Sequence, residues 1–136
     1  MAITKISHVT ILVRDQDEAL RWYTEVLGFE KRMDMPFGTQ SRWLTVGATG
    51  QKDLEVALLK PNAEMHGADG AKKLMRRVGQ GPTWVVETDS CRKTYEELKD
   101  KGVKFTSVPQ DMPWGVSAVF EDLYGNQFNL LEPAPM

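Results

Sequence analysis

The sequence is poor in cysteine and histidine, and both shortages restrict its chemistry. Cys91 is the only cysteine among 136 residues, which excludes an intramolecular disulfide and a zinc site built from several cysteines. Its place near a predicted helix start allows either a lowered thiol pKa or an ordinary small buried side chain. His8 and His66 are the only histidines. Because catalytic divalent metals typically take three or more histidine or carboxylate ligands, a metal site would depend on carboxylates as well.

Positive charge and long hydrophobic runs are also scarce. Lys and Arg number 17 against 19 Asp and Glu, so the net charge is −2 and the basic excess typical of a nucleic-acid-binding protein is missing. No apolar run approaches the roughly 20 residues of a membrane-spanning helix, and the N-terminus does not resemble a secretory signal. We therefore expect one cytoplasmic domain with neither nucleic acid nor membrane as a partner.

The first half of the sequence predicts a strand, a helix and three strands. Residues 6–13 are rich in Val, Ile and Thr, which favours a strand whose alternation places His8, Thr10 and Leu12 on one face. Asp15 is a candidate N-cap of the following helix, and Gly28 is a candidate C-terminal glycine. Further strands are predicted at 29–35, 42–47 and 53–60.

The second half repeats this order after an irregular stretch. Ala71, Leu74, Met75 and Val78 have helical spacing and predict a short connecting helix. Ser90 and Gly102 then bound a second capped helix. The predicted strands of this half are 83–88, 103–109, 115–122 and 126–133. A repeated strand–helix–three-strand pattern indicates an α+β protein built from two similar units.

Three segments carry a family resemblance. They are ISHVTILVRDQDEALRWYTEVLGFE (6–30), WVVETDSCRKTYEELKDKGVKF (84–105) and WGVSAVFEDLYGNQFNLLEP (114–133). In this order they resemble the vicinal oxygen chelate superfamily, which includes glyoxalases, extradiol dioxygenases, fosfomycin-modifying enzymes and bleomycin-resistance proteins. The resemblance implies tandem βαβββ units that form a cleft between two curved mixed sheets, in a single glyoxalase-like domain over 1–136. The first unit would span about 4–61, the connector 62–81 and the second unit about 82–133. The resemblance also implies a homodimer, which is the common assembly in this superfamily.

The resemblance also implies positions for metal ligands. In this sequence they correspond to His8, Glu55, Thr83 and Asn129, where Glu55 stands two residues before the aligned Ala57. Threonine and asparagine supply only weak neutral oxygen donors, so this set would hold a divalent ion such as Zn, Ni, Fe or Mn loosely unless substrate oxygens completed the coordination.

Two functions follow, and the residues leave open whether the protein is an enzyme. One is a metal-dependent lyase or dioxygenase acting on a small oxygenated organic molecule, with Glu55 or Glu132 as the general base. The alternative is a metal-free protein that binds and sequesters an antibiotic-like small molecule. The predicted ligand-binding residues are Thr10, Trp43, Val85, Trp114 and Asn129.

Overall fold

The computed structural model describes residues 2–135, without the side chain of Phe37. The chain forms two compact units, of which the first ends at Val78 and the second begins at Gly79. The elements of the first unit are β1 (His8–Leu12), α1 (Gln16–Arg21), a one-turn π-helix (Trp22–Val26), β2 (Glu30–Phe37), β3 (Ser41–Gly47), β4 (Glu55–Leu59) and α2 (Ala63–Arg76). No helix within residues 2–135 is long and apolar enough to cross a membrane.

The first unit contains one mixed four-stranded sheet in the order β1-β4-β3-β2. The edge strand β1 runs parallel to β4, with His8 opposite Glu55, and the other pairs are antiparallel. A register shift between Lys31 and Met33 marks a bulge in β2. Because side chains alternate along each strand, the sheet has one face toward α1 and one face away from it.

The predicted helix boundaries of the first unit are confirmed. The Asp15 side chain accepts a hydrogen bond of 2.9 Å from the Glu18 N–H, as an N-cap does. Gly28 has a φ of 78°, a left-handed conformation that glycine adopts at low cost. The core beneath the helix is made of buried apolar side chains, namely Ile11, Val13, Ala19, Tyr23, Leu44, Val46 and Leu58.

Helix α2 is longer than the sequence predicted. It begins at Ala63, where the Asn62 side chain accepts a hydrogen bond of 3.0 Å from the Met65 N–H, and it is interrupted at Gly67 with a φ of 73°. The Glu64 carboxylate in its first turn accepts hydrogen bonds from the backbone N–H groups of residues 39 and 40 and from the hydroxyls of residues 39 and 41. These donors, chiefly the Thr39 hydroxyl, lower the pKa of Glu64 to about 2. The helix thereby fixes the β2–β3 turn.

The second unit contains a second mixed sheet. Its elements are β5 (Trp84–Glu87), α3 (Cys91–Asp100), β6 (Lys104–Phe105), β7 (Gln110–Met112), β8 (Gly115–Glu121) and β9 (Gln127–Pro133). The sheet order is β5-β9-β8-β6, with β5 parallel to β9 and with β7 also paired to β8. Within the strand predicted over 103–109, only β6, two residues long, is present. The rest of this edge is formed by β7, because β6 and β7 pair with opposite ends of β8. Two βαβββ-type units with mixed sheets confirm the predicted α+β fold class.

Helix α3 packs on the second sheet through Cys91 and Leu98, both buried. The Ser90 hydroxyl accepts a hydrogen bond of 3.2 Å from the Lys93 N–H, so the predicted N-cap is confirmed. Cys91 is fully buried, and its thiol donates to the Leu130 carbonyl at 3.6 Å. Burial, followed by the nearby Glu132 carboxylate, raises the pKa of the thiol. Of the two alternatives for Cys91, the structure shows the small buried side chain, and the pKa of its thiol is raised rather than lowered.

Candidate functional site

The candidate site in the first unit is the sheet face that turns away from α1, which we call the His8 face. The residues of this face follow from the strand registers, which pair β1 with β4, β4 with β3, and β3 with β2. They are His8, Thr10, Met33, Met35, Trp43, Thr45, Glu55 and Ala57. The structure thus brings together four of the predicted site residues, His8, Thr10, Trp43 and Glu55, on one surface.

A hydrogen-bonded polar cluster occupies the centre of the His8 face. The Thr45 hydroxyl donates to Glu55 Oε1 at 2.5 Å and accepts from the Met33 N–H at 3.1 Å. His8 Nε2 lies 3.8 Å from the same Glu55 oxygen, while the Ser7 hydroxyl lies 2.8 Å from His8 Nδ1. Because Thr45 is fully buried, it holds the Glu55 carboxylate in a fixed position beside the imidazole.

Apolar and aromatic groups border this cluster. The His8 and Trp43 rings are tilted against each other with centroids 5.5 Å apart. Met35 is paired with Trp43 across the β2–β3 ladder, and Met33 and Met35 are 40% and 51% exposed. Exposed methionines beside an indole form an adaptable apolar surface of the kind that accepts flat ring systems. A carboxylate at its centre supplies a directional acceptor.

The second unit has an equivalent surface, the sheet face turned away from α3, which we call the Asn129 face. Asn129 lies in the middle of β9, with Val85 opposite it on β5 and Val119 opposite it on β8. Val85 is 58% exposed. The Asn129 side-chain oxygen is buried and has no hydrogen-bond partner among residues 2–135. The structure therefore brings together two predicted ligand-binding residues, Val85 and Asn129, around an unsatisfied acceptor.

The remaining predicted residues of the second unit have other surroundings. Thr83 precedes β5, and its hydroxyl donates to the Gln127 side chain at 3.2 Å. Glu132 alternates to the α3 side of β9, where its carboxylate accepts from the Cys91 N–H at 3.0 Å. It caps the helix there, and its role as a general base stays a prediction. Trp114 lies between β7 and β8 and is 59% exposed.

The donor set does not fit a resident catalytic metal ion. Among residues 2–135 no group of three histidine, cysteine, aspartate or glutamate side chains is placed to hold one. Of the eight residues named above for the His8 face, only His8 and Glu55 carry strong metal-binding groups. The other histidine, His66 in α2, has its Nδ1 3.2 Å from the carbonyl of the N-cap residue Asn62. Two strong donors fall short of the three that catalytic zinc or non-haem iron sites use.

Sequence reasoning missed three members of the His8 face, namely Met33, Met35 and Thr45. Thr45 could have been found, because it stands two residues after Trp43 and alternation places both on one face. Met33 and Met35 could not have been placed on this face from the sequence. The bulge between Lys31 and Met33 shifts the alternation of side chains along β2, and no sequence signal predicts that bulge.

Comparisons with known proteins agree with this architecture. The model of the Glyoxalase/Bleomycin resistance protein/Dioxygenase superfamily matches residues 5–130. The uncharacterized protein YurT of Bacillus subtilis (strain 168) is 37% identical over 129 residues, which are 94% of this chain and 98% of that protein.

Two solved structures are similar over nearly their whole length. The crystal structure of UcmS2 is 39% identical with a TM-score of 0.86, over 96% of this chain and 98% of that one. TnmS3, an antibiotic binding protein from Streptomyces sp. CB03234, is 28% identical with a TM-score of 0.76, over 98% of this chain and 99% of that one. The chain therefore belongs to the Glyoxalase/Bleomycin resistance protein/Dioxygenase superfamily and has its α+β fold, as the three sequence segments predicted.

Proposed function

We propose that this protein binds a small planar organic molecule of antibiotic-like chemistry, without a metal ion, and sequesters it. The observation that carries the proposal is the composition of the His8 face. It presents an indole, an imidazole and two exposed methionines around a single carboxylate. Such a surface offers a ring system apolar contact and one directional hydrogen bond, which is the usual arrangement of a small-molecule site.

The apolar part supports affinity for a flat ring. Met33 and Met35 are about half exposed although they belong to a sheet. Methionine adapts its shape and makes favourable sulfur–aromatic contacts, and Trp43 offers a large rigid surface for stacking. A ring placed on this face would remove apolar area from water, which contributes about 25 cal/mol for each Å².

The polar part supports orientation rather than catalysis. Glu55 is fixed by the Thr45 hydroxyl and lies beside His8, so a ligand hydroxyl or amine could donate to it. The similarity to TnmS3, an antibiotic binding protein, supports the same function. Thr10 is proposed as a further ligand contact on the His8 face, and Val85, Trp114 and Asn129 are proposed as ligand-binding residues of the second unit.

A metal-dependent lyase or dioxygenase is the second candidate function. The observation that favours it is the His8–Glu55 pair, in which a carboxylate next to an imidazole could act as a base. Its weakness is the donor set, since a metal would have to be completed by substrate oxygens.

Calorimetric titration with 2-naphthol tests the proposal. With about 11 non-hydrogen atoms at about 0.5 kcal/mol each, a fitting site should bind 2-naphthol with a Kd of roughly 0.1 mM. The variant Trp43→Leu should weaken binding roughly tenfold, because it loses the stacking surface while it stays apolar. Trp114→Leu, which changes the same residue type in the second unit, separates the contributions of the two tryptophans. An unchanged Kd in Trp43→Leu would contradict a ring site on the His8 face.

The same titration distinguishes the two functions. Protein treated with a chelator should bind 2-naphthol as tightly as untreated protein. Titrations with Zn²⁺, Ni²⁺, Mn²⁺ and Fe²⁺ should give no stoichiometric binding. A metal that binds one to one, and whose binding disappears in His8→Ala, would replace the metal-free proposal with the metalloenzyme.

A further inference from the structure

We propose that Met33 and Met35 form a peroxide-sensitive switch, in which oxidation of both thioethers to sulfoxides releases a ring bound on the His8 face. The proposal rests on the proposed function and deepens it, since it adds a modification that controls the same site. Both methionines and the groups around them belong to the first unit.

The two methionines are neighbours on an edge strand. β2 is the last strand in the sheet order β1-β4-β3-β2. Met33 and Met35 stand two positions apart on it, so their side chains point to the same face, and they are 40% and 51% exposed. Asp34, between them, turns to the other face, where its carboxylate accepts from Arg42 at 2.8 Å. Solvent therefore reaches both thioethers.

Both side chains adjoin the groups that a bound ring would contact. In the β2–β3 register, Met35 lies opposite Trp43. Met33 lies opposite Thr45, whose hydroxyl holds the Glu55 carboxylate. A ring that stacks on the indole and donates to the carboxylate would therefore lie against the thioethers, which supply the apolar border of the contact.

The modification is a two-electron oxidation of each thioether by a hydroperoxide. The peroxide transfers one oxygen atom to the sulfur, so the S=O bond forms and the O–O bond breaks. The proton of the transferred oxygen moves to the leaving oxygen, and the peroxide is reduced to water or an alcohol. The sulfoxide is polar and hydrated, and a ring that covers it would remove its water without replacing the hydrogen bonds. Oxidation thus turns the apolar border against ring binding.

Met65 provides a matched comparison within the same unit. It is 40% exposed, as Met33 is, but it lies in the first turn of α2 and not on the His8 face. Because methionine oxidation follows exposure, Met65 should be oxidised together with Met33 and Met35. Its different place predicts that its oxidation leaves ring binding unchanged.

The first measurement is the order of oxidation under hydrogen peroxide at mildly acidic pH. Thiols react slowly there because the thiolate is the reactive form, and Cys91 is in addition fully buried. Peptide mass spectrometry should find sulfoxide at the three exposed methionines before the half-buried Met75 and Met112. A thioether that survives at Met33 or Met35 when Met65 is fully oxidised would overturn the assignment.

The second measurement is the Kd for 2-naphthol after the peroxide has been removed. Treatment should weaken binding to wild-type protein roughly tenfold, because the sulfoxides lose water under the ring. The double variant Met33→Leu, Met35→Leu keeps an apolar border of similar size and should have the same Kd before and after treatment. Met65→Leu should lose affinity as wild type does. Either variant behaving like the other would overturn the switch.

The third measurement is reversal, which needs no variant. Methionine sulfoxide reductases for both sulfoxide epimers, with a thiol reductant, should restore the Kd of untreated protein. The circular dichroism spectrum should be the same before treatment, after treatment and after reduction. An affinity that does not return, or one that is lost together with the folded structure, would contradict a switch at the ring surface.

The outcomes separate the two proposals. If untreated protein binds 2-naphthol and keeps its Kd although both methionines are oxidised, the ring site stands and the switch is wrong. If untreated protein does not bind 2-naphthol, the proposed function fails, and the switch, which depends on it, fails as well. If binding is lost on oxidation, returns on reduction and is insensitive to peroxide in the double variant, the switch is supported.

Discussion

The substitution Thr45→Val tests whether the polar cluster of the His8 face is a structural unit. Valine has nearly the shape of threonine, so the change removes the hydroxyl and little else. The Thr45 hydroxyl makes two hydrogen bonds, one donated to Glu55 and one accepted from the Met33 N–H. Both would be lost within a residue that is fully buried.

The magnitude follows from these two bonds. A hydrogen bond to a charged group contributes about 1.5–3 kcal/mol, and a backbone donor left without a partner costs about 1–3 kcal/mol. Glu55 is 25% exposed and Met33 is 40% exposed, so water replaces part of each contact. We therefore expect Thr45→Val to lower the free energy of unfolding by about 2 kcal/mol, and the Tm by roughly 6–12 °C.

Chemical denaturation followed by circular dichroism measures this loss, with Thr10→Val as the matched control. Thr10 lies on the same face but is exposed, and its substitution should change the free energy of unfolding by less than about 0.5 kcal/mol. A Thr45→Val protein as stable as Thr10→Val would refute the reasoning, since it would mean that Glu55 and the Met33 N–H do not depend on this hydroxyl.

Two further predictions follow from the pKa shifts. The lowered pKa of Glu64 stabilises the folded state fully above the ordinary value of 4.5, and this stabilisation is lost as the pH falls to about 2. The Tm difference between wild type and Glu64→Gln should therefore shrink between pH 5 and pH 2; a constant difference would contradict the contact with the β2–β3 turn. Cys91 is fully buried, and its raised pKa keeps the thiol protonated. At pH 8 it should react with a disulfide reagent only after guanidinium unfolding, and rapid labelling of the native protein would contradict this burial.

The helix ends could be predicted from sequence because their causes are local. Asp15 and Ser90 each bond to an N–H three residues ahead, so the capping residue and its partner lie within one short segment. Gly28 and Gly102 adopt left-handed backbones, with φ of 78° and 89°, at the positions where the apolar periodicity stops. The parts of the fold that depend on such short-range chemistry were therefore found.

Long-range contacts could not be predicted in the same way. Glu64 stabilises a turn 24 residues before it through hydrogen bonds to the segment around Gln40. Strand β7 exists because β8 offers it a pairing partner, although the sequence around Asp111 is not strand-like on its own. The start of α2 at Ala63 was missed because Gly67 interrupts the helical periodicity. Alternation with Trp43 could have placed Thr45 on the His8 face, but its hydrogen bond to Glu55 could not be predicted because it depends on the sheet register.

The parallel pairing of β1 with β4 has a consequence for how such a module can be rearranged. His8 lies beside Glu55 and Leu12 lies beside Leu59. The chain therefore starts β1 at one end of this strand pair and finishes β4 at the other end. At a rise of about 3.3 Å for each residue, the four steps along the strand separate these two points by roughly 13 Å. A circular permutant of the β1–β4 segment, residues 8–59, would need a bridging peptide of at least about four residues along the sheet.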